Sequence, residues 1–150
     1  MVNLGRRFGR RRPDDAAPPT GQTTQLPFVD RVRAQVLELK SLVKRNGQEI
    51  PVHETLVVLR ICDQLDDLLT HMERSRPTAQ EQISVEFMAA DYVPNTINAY
   101  LISHDPRKDA SLSHQIDLMW REVRAMIDAV YRDDDTALST NQAFLDRKFR

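Results

Sequence analysis

From Pro27 onward the apolar positions fall into helical stripes separated by short polar breaks. Val29, Val32, Val36, Leu39 and Val43 step alternately by three and four residues, the spacing that keeps side chains on one face of an α-helix. Phe28, Leu37 and Leu42 widen that face. The pattern predicts a first helix from Pro27 or Phe28 to Asn46, with Gly47 as its C′ residue. A second stripe, Val52, Leu56, Leu59, Cys62, Leu65, Leu69 and Met72, predicts a helix from near Pro51 to near Arg74. Ser75-Arg76-Pro77 ends it. Thr78, with Glu81 three residues later, reads as the capping box that opens the next helix.

The central stretch, Ile83 to Leu101, is the densest in apolar and aromatic residues. Ile83, Phe87, Ala90, Pro94, Ile97 and Leu101 continue one stripe straight through a proline. The ring of Pro94 has no N–H to donate and crowds the carbonyl of Ala90, so the helix is predicted to kink or restart there. Beyond the polar loop at 103–109, Leu112, Ile116, Met119, Val123, Met126 and Val130 form the seam of a further helix. Trp120, Ile127 and Tyr131 stand on its shoulders. Asp133, Asp134 and Asp135 are expected to interrupt it, leaving Leu138, Phe144, Leu145 and Phe149 on a short last helix. The fold these stripes predict is all-α: an antiparallel four- to five-helix bundle on residues 27–150, with a proline-kinked central helix.

Glycine usage supports this. All four glycines (Gly5, Gly9, Gly21 and Gly47) precede residue 48. Hairpins, nucleophile elbows, P-loops and dinucleotide fingerprints all need glycine, so the body is left without their motifs. The longest apolar runs, such as Leu56-Val57-Val58-Leu59, are four residues, far short of a membrane span. No apolar segment follows the N-terminal arginines, which argues against a secretory signal. Cys62 is the only cysteine, which suits a cytoplasmic location.

Charge divides the chain. Residues 1–20 hold five arginines against two aspartates, a balance of +3, while the remainder holds 16 basic and 20 acidic side chains, a balance of −4. Residues 1–26 are too polar and proline-rich to offset the entropy of ordering and are predicted to be a disordered arm. Arg6, Arg7, Arg10, Arg11 and Arg12 are its candidate anion-binding residues. An anionic membrane surface, such as the inner face of the plasma membrane, is one partner for them, and nucleic-acid phosphate is another. The acidic body would repel a duplex and favours the first; a purely solubilising tail competes with both.

Candidate chemistry is sparse. None of His53, His71, His104 or His114 has a glutamate three positions before it, as di-iron bundles require. Asp63, Asp66 and Asp67 with His71 share one helical surface able to hold a cation, but a solvated acidic face explains them more simply, and no metal or cofactor is assigned. Asp133 to Asp135 read as a helix break. Cys62 reads as a buried, inert thiol. Beside the proline, Tyr92, Pro94, Asn95, Thr96, Asn98 and Tyr100 make a candidate partner notch, built on the carbonyl that the kink frees. Capping of a restarted helix accounts for the same polar residues.

The segment Asp91-Tyr92-Val93-Pro94-Asn95-Thr96-Ile97-Asn98-Ala99-Tyr100-Leu101 is similar to a Tyr-Leu-Pro-x-Thr-Leu-x-x-Tyr pattern. That pattern belongs to small helical bacterial proteins of the XpaC-like family, named for bromo-chloroindolyl phosphate hydrolysis. The ending Asn141-Gln142-Ala143-Phe144-Leu145-Asp146-Arg147-Lys148-Phe149 resembles the same family's tail, and the first half of the chain has no counterpart. Val93 and Ile97 stand where the pattern has leucine. The resemblance implies a helical fold, a bacterial origin and, by the family's name, phosphate-ester hydrolysis, but it brings no catalytic motif to particular residues. The function expected from the residues themselves is a non-enzymatic cytoplasmic interaction or scaffold module with a protein partner, brought to a membrane surface by its arm.

Overall fold

The computed structural model describes residues 27–149. The arm at 1–26, predicted to be disordered, lies outside the described residues. Helices α1 (Phe28–Arg45), α2 (Val52–Arg74), α3 (Ala79–Phe87), α4 (Val93–Ile102) and α5 (Lys108–Lys148) follow in order, with a π turn (Met88–Tyr92) joining α3 to α4. Among the described residues there is no strand. The all-α bundle is the architecture observed, and α3, the π turn and α4 act as one rod.

Ion pairs give the direction of packing. Arg33 meets Glu73 at 3.0 Å and Lys40 meets Asp66 at 2.9 Å, so α1 and α2 run antiparallel. The guanidinium of Arg60 lies 5.2 Å from the Trp120 ring centre, while His71 and Tyr131 rings are 4.9 Å apart, so α2 and α5 run parallel. Consecutive rods are antiparallel, as predicted. Around the bundle, however, the order is α1, α2, α5, then the α3–α4 rod, which packs back on α1. The link at 75–78 therefore crosses the bundle diagonally.

The core holds α1's predicted stripe almost unchanged: Val32, Val36, Leu39 and Val43 are buried, and Val29 packs against them. Leu37, expected to widen that face, is exposed. The stripe on α2 is rotated. Val52 and Leu56 face solvent, and Val58, Ile61 and Leu68 are buried alongside Cys62, Leu65, Leu69 and Met72. A helix wedged between α1 and α5 must bury two adjacent faces, which a single line of spacing does not reveal.

Gly47 does not serve as a left-handed cap, since none of the described residues has a positive φ. Asn46 closes α1 instead. Its Nδ2 donates to the Leu42 carbonyl at 2.8 Å, and its own carbonyl accepts from the N–H groups of Glu49 and Ile50 at 3.0 Å each. Ile50, 2% exposed, then plugs this end of the core. At the start of α3 the predicted capping box is present: Glu81 N–H donates to Thr78 Oγ1 at 3.2 Å, and Thr78 N–H donates to Glu81 Oε2 at 2.8 Å.

The largest correction concerns the central stripe. Ile83 and Phe87 are 47% and 46% exposed, and the buried positions are Val85, Met88, Ala89, Val93, Ile97 and Tyr100. The break expected at Pro94 takes the form of the π turn, in which the Val93 N–H reaches back to the Met88 carbonyl. A π turn takes one residue more than an α turn and widens the helix where the proline ring would otherwise press on the preceding turn. It also resets the register. Val85, Ala89, Val93 and Ile97 are four apart each time. In an undisturbed helix of about 3.6 residues per turn that line would drift off the core face, and the extra residue brings it back.

A second correction lies in α5, which runs unbroken through Asp133, Asp134 and Asp135 to Lys148. Aspartate is a poor helix former by well under about 1 kcal/mol, and no glycine or proline occurs after Pro106. His71 Nε2 pairs with Asp134 Oδ2, and the hydroxyls of Thr136 and Thr140 donate to carbonyls one turn back at 2.9 Å. At about 1.5 Å per residue the helix is about 60 Å long, against about 35 Å for α2. Its end projects beyond the bundle.

Candidate functional site

Three surfaces bear the residues singled out by sequence. Between α4 and α5 lies a cleft of about 560 Å³ that includes Thr96, Tyr100, Ser103, Lys108 and Ser111. Tyr100 is its most constrained member. Its hydroxyl donates to Asp109 Oδ1 at 2.7 Å, with the Glu49 carbonyl as a second acceptor at 3.1 Å. Lys108 Nζ stands 4.6 Å from the ring centre. Burial first, and the neighbouring Asp109 carboxylate second, push the phenol up to about 12. These contacts tie the α1–α2 loop to the start of α5. That is a structural clasp, and Tyr100 has no free donor left for chemistry.

Pro94 and Asn98 lie on the other side of α4, in a groove of about 410 Å³ against Gln35, Glu38, Leu42 and Arg45 of α1. Tyr92 and Asn95 are exposed, and the Tyr92 ring lies 6.0 Å from Phe87. The six notch residues are thus distributed around α4 and do not converge on one site. Helical periodicity is the reason: neighbours in sequence point in different directions about the rod.

The acidic group on α2 is likewise dispersed. Lys40 Nζ reaches Asp63 Oδ1 at 3.1 Å and Asp66 Oδ2 at 2.9 Å, and the bond to Asp66 leads the causes that hold its own pKa above the ordinary lysine value. Asp67 is exposed, and His71 is paired with Asp134. Among the described residues no group of three or more His, Cys, Asp or Glu side chains is gathered to hold a metal ion. Burial pushes the Cys62 thiol up to about 12, far from the thiolate a nucleophile needs. Trp120 is half-buried, flanked by the guanidinium groups of Arg60 and Arg124 at 5.2 and 5.9 Å. The arm residues Arg6, Arg7, Arg10, Arg11 and Arg12 lie outside the described residues.

The surface that sequence reasoning missed is the projecting half of α5. Every residue from Asp135 to Phe149 is exposed, yet Leu138, Phe144, Leu145 and Phe149 are among them. The signal was legible: Ile116, Val123, Val130, Ala137 and Phe144 form one unbroken line at seven-residue spacing. The buried seam of α5 therefore continues past the bundle, with Leu138 and Leu145 beside it. Arg132, Thr136, Ser139 and Asp146 occupy the opposite side, while Asn141 and Lys148 fall between the apolar residues, so this half is amphipathic with an interrupted apolar face left uncovered.

No helix among the described residues is long and apolar enough to cross a membrane. Comparisons with known proteins find no matching family model, curated protein or solved structure.

Proposed function

We propose that the chain is a protein-interaction module, in which the bundle is a rigid platform and the projecting half of α5 is the docking face. One observation carries this reading. A helix of about 22 Å leaves the bundle with the same apolar line that the rest of α5 buries, and nothing among the described residues covers it. The helix-in-groove and helix-to-helix modes of recognition use anchors at this spacing. The arginines of residues 1–26 add recruitment to an anionic membrane surface, on the strength of composition alone.

Phosphate-ester hydrolysis, implied by the XpaC-like resemblance, has no comparable support. Of the acidic cluster Asp63, Asp66 and Asp67, the first two are engaged by Lys40 and the third is exposed on the surface of α2. The test of the interaction reading uses Leu138→Asp and Phe144→Asp in full-length protein. Both are expected to leave circular dichroism and thermal melting of the bundle unchanged while abolishing every specific protein contact mapped by cross-linking. Contacts that survive both variants overturn the reading.

A further inference from the structure

We infer that the groove between α1 and α4 binds a primary ammonium group carried on an apolar stem. Its walls hold hydrogen-bond acceptors that the bundle leaves without donors. The first comes from the π turn. There the Val93 N–H goes to the Met88 carbonyl, and Pro94 has no N–H to give. Those two groups are the donors that an α or a π turn would bring to the Ala89 carbonyl, so it loses both. The peptide unit carrying this carbonyl joins Ala89 to Ala90, and both residues line the groove. Ala89 is buried, so bulk water does not serve in place of the lost donors. Helix α1 supplies the second acceptor. Gln35 lines the same groove, and its Oε1 is buried with no hydrogen-bond partner among the described residues. Its amide nitrogen is engaged elsewhere: the Glu86 carboxyl, held below its ordinary value first by its bond to Arg31, also accepts from Gln35.

Charge decides what kind of donor fits. Glu38, one turn beyond Gln35 on α1, lines the groove at the surface and forms no ion pair among the described residues. A carboxylate beside two neutral acceptors suits a cation that presents several N–H groups, and an ammonium does so. Leu42 and the Pro94 ring add apolar wall, against which an alkyl stem loses its contact with water. Arg45, the opposing charge, stands two turns further along α1, about 10 Å from Glu38 along the axis, and so leaves the ammonium end to the acceptors. A groove of about 410 Å³ admits a lysine side chain or a free amine of that size.

Titration of the isotope-labelled full chain, followed by amide NMR shifts, tests this. Butylammonium is expected to shift the signals of Gln35, Ala89 and Ala90 saturably, with a dissociation constant of about 1 mM, within the ceiling for so small a ligand. Butyrate and butanol should leave those signals in place. Glu38→Gln and Gln35→Leu should each weaken binding about tenfold or more. Pro94→Ala brings back the missing N–H and should weaken it as well. Glu38 is exposed, so its variant reads binding on an intact bundle even where the other two disturb the rod. N-acetyl-lysine methylamide separates two sources of the same chemistry. Tighter binding of this amide assigns the groove to a lysine side chain of a peptide, and tighter binding of butylammonium assigns it to free amines. No saturable shift in the groove overturns the inference, because water then suffices for the acceptors. So does butyrate or butanol binding as tightly as the amine, or binding that is unchanged in Glu38→Gln or in folded Pro94→Ala.

Discussion

From Lys108 to Val130, α5 packs on α2 and on the α3–α4 rod, and Leu112, Ile116, Val123 and Val130 disappear from solvent. From Asp135 onward the same helix holds Ala137, Leu138, Phe144 and Leu145 in open water. Nothing in local spacing separates the two regions, and both are helical to the same degree. They differ in what stands opposite. The first half has neighbouring rods to fill the space between side chains; the second has outrun them. Amphipathic spacing therefore reports that a helix has a face to bury, and the length of the neighbours decides whether the chain itself can bury it.

Substitution along the seven-residue line should break the symmetry most visibly. Ile116→Ala removes buried methylenes from a site 1% exposed and is expected to cost about 2–5 kcal/mol in urea melts. Phe144→Ala, on the same line, should change the stability of dilute protein by less than about 0.5 kcal/mol. Equal costs at the two positions would mean that the projecting half packs on something within the chain.

The α3–α4 rod offers the same contrast between faces instead of ends. Ile97→Ala should cost about 2–5 kcal/mol, whereas Phe87→Ala, half-exposed beside Tyr92, should cost about 1 kcal/mol or less. A reversal of that order would return Phe87 to the core and remove the register shift at the π turn.

The gentlest probe is the anchored start of α5, where the Tyr100 clasp holds what the far end lacks. Tyr100→Phe leaves Asp109 and the Glu49 carbonyl without their donor and should cost about 1 kcal/mol. Ionisation should show the same clasp. The folded state favours the neutral hydroxyl, raised from 10.0 to about 12. Its stabilisation is therefore complete below the unfolded value and is lost as pH rises through about 12. Among the three tyrosines, tyrosinate absorbance should show one titrating late, and that step should vanish in Tyr100→Phe. A late step that persists in the variant would break the assignment to Tyr100.

What the sequence determined by itself was the inventory of helices, because spacing, caps and breakers act within a few residues. The α1 stripe, the Thr78–Glu81 box and the ends of α2 at Pro51 and Ser75 are local events and were legible as such. The absence of glycine after Gly47 likewise settled the class of fold. Tertiary structure decided which side of each helix counts. Val52 and Leu56 lost their place to Val58 and Ile61 because α2 must serve two neighbours. Phe87 lost its place to Val85, Met88 and Ala89 because that side of the rod is the one packed on α1 and α5, and the π turn resets the register only for the residues after it. The candidate notch dissolved for the same reason, since residues adjacent in sequence diverge around a rod. The uncovered apolar face of α5 was half legible: an apolar line can be read from the sequence, but whether a neighbouring helix is long enough to cover it is a property of the assembled bundle.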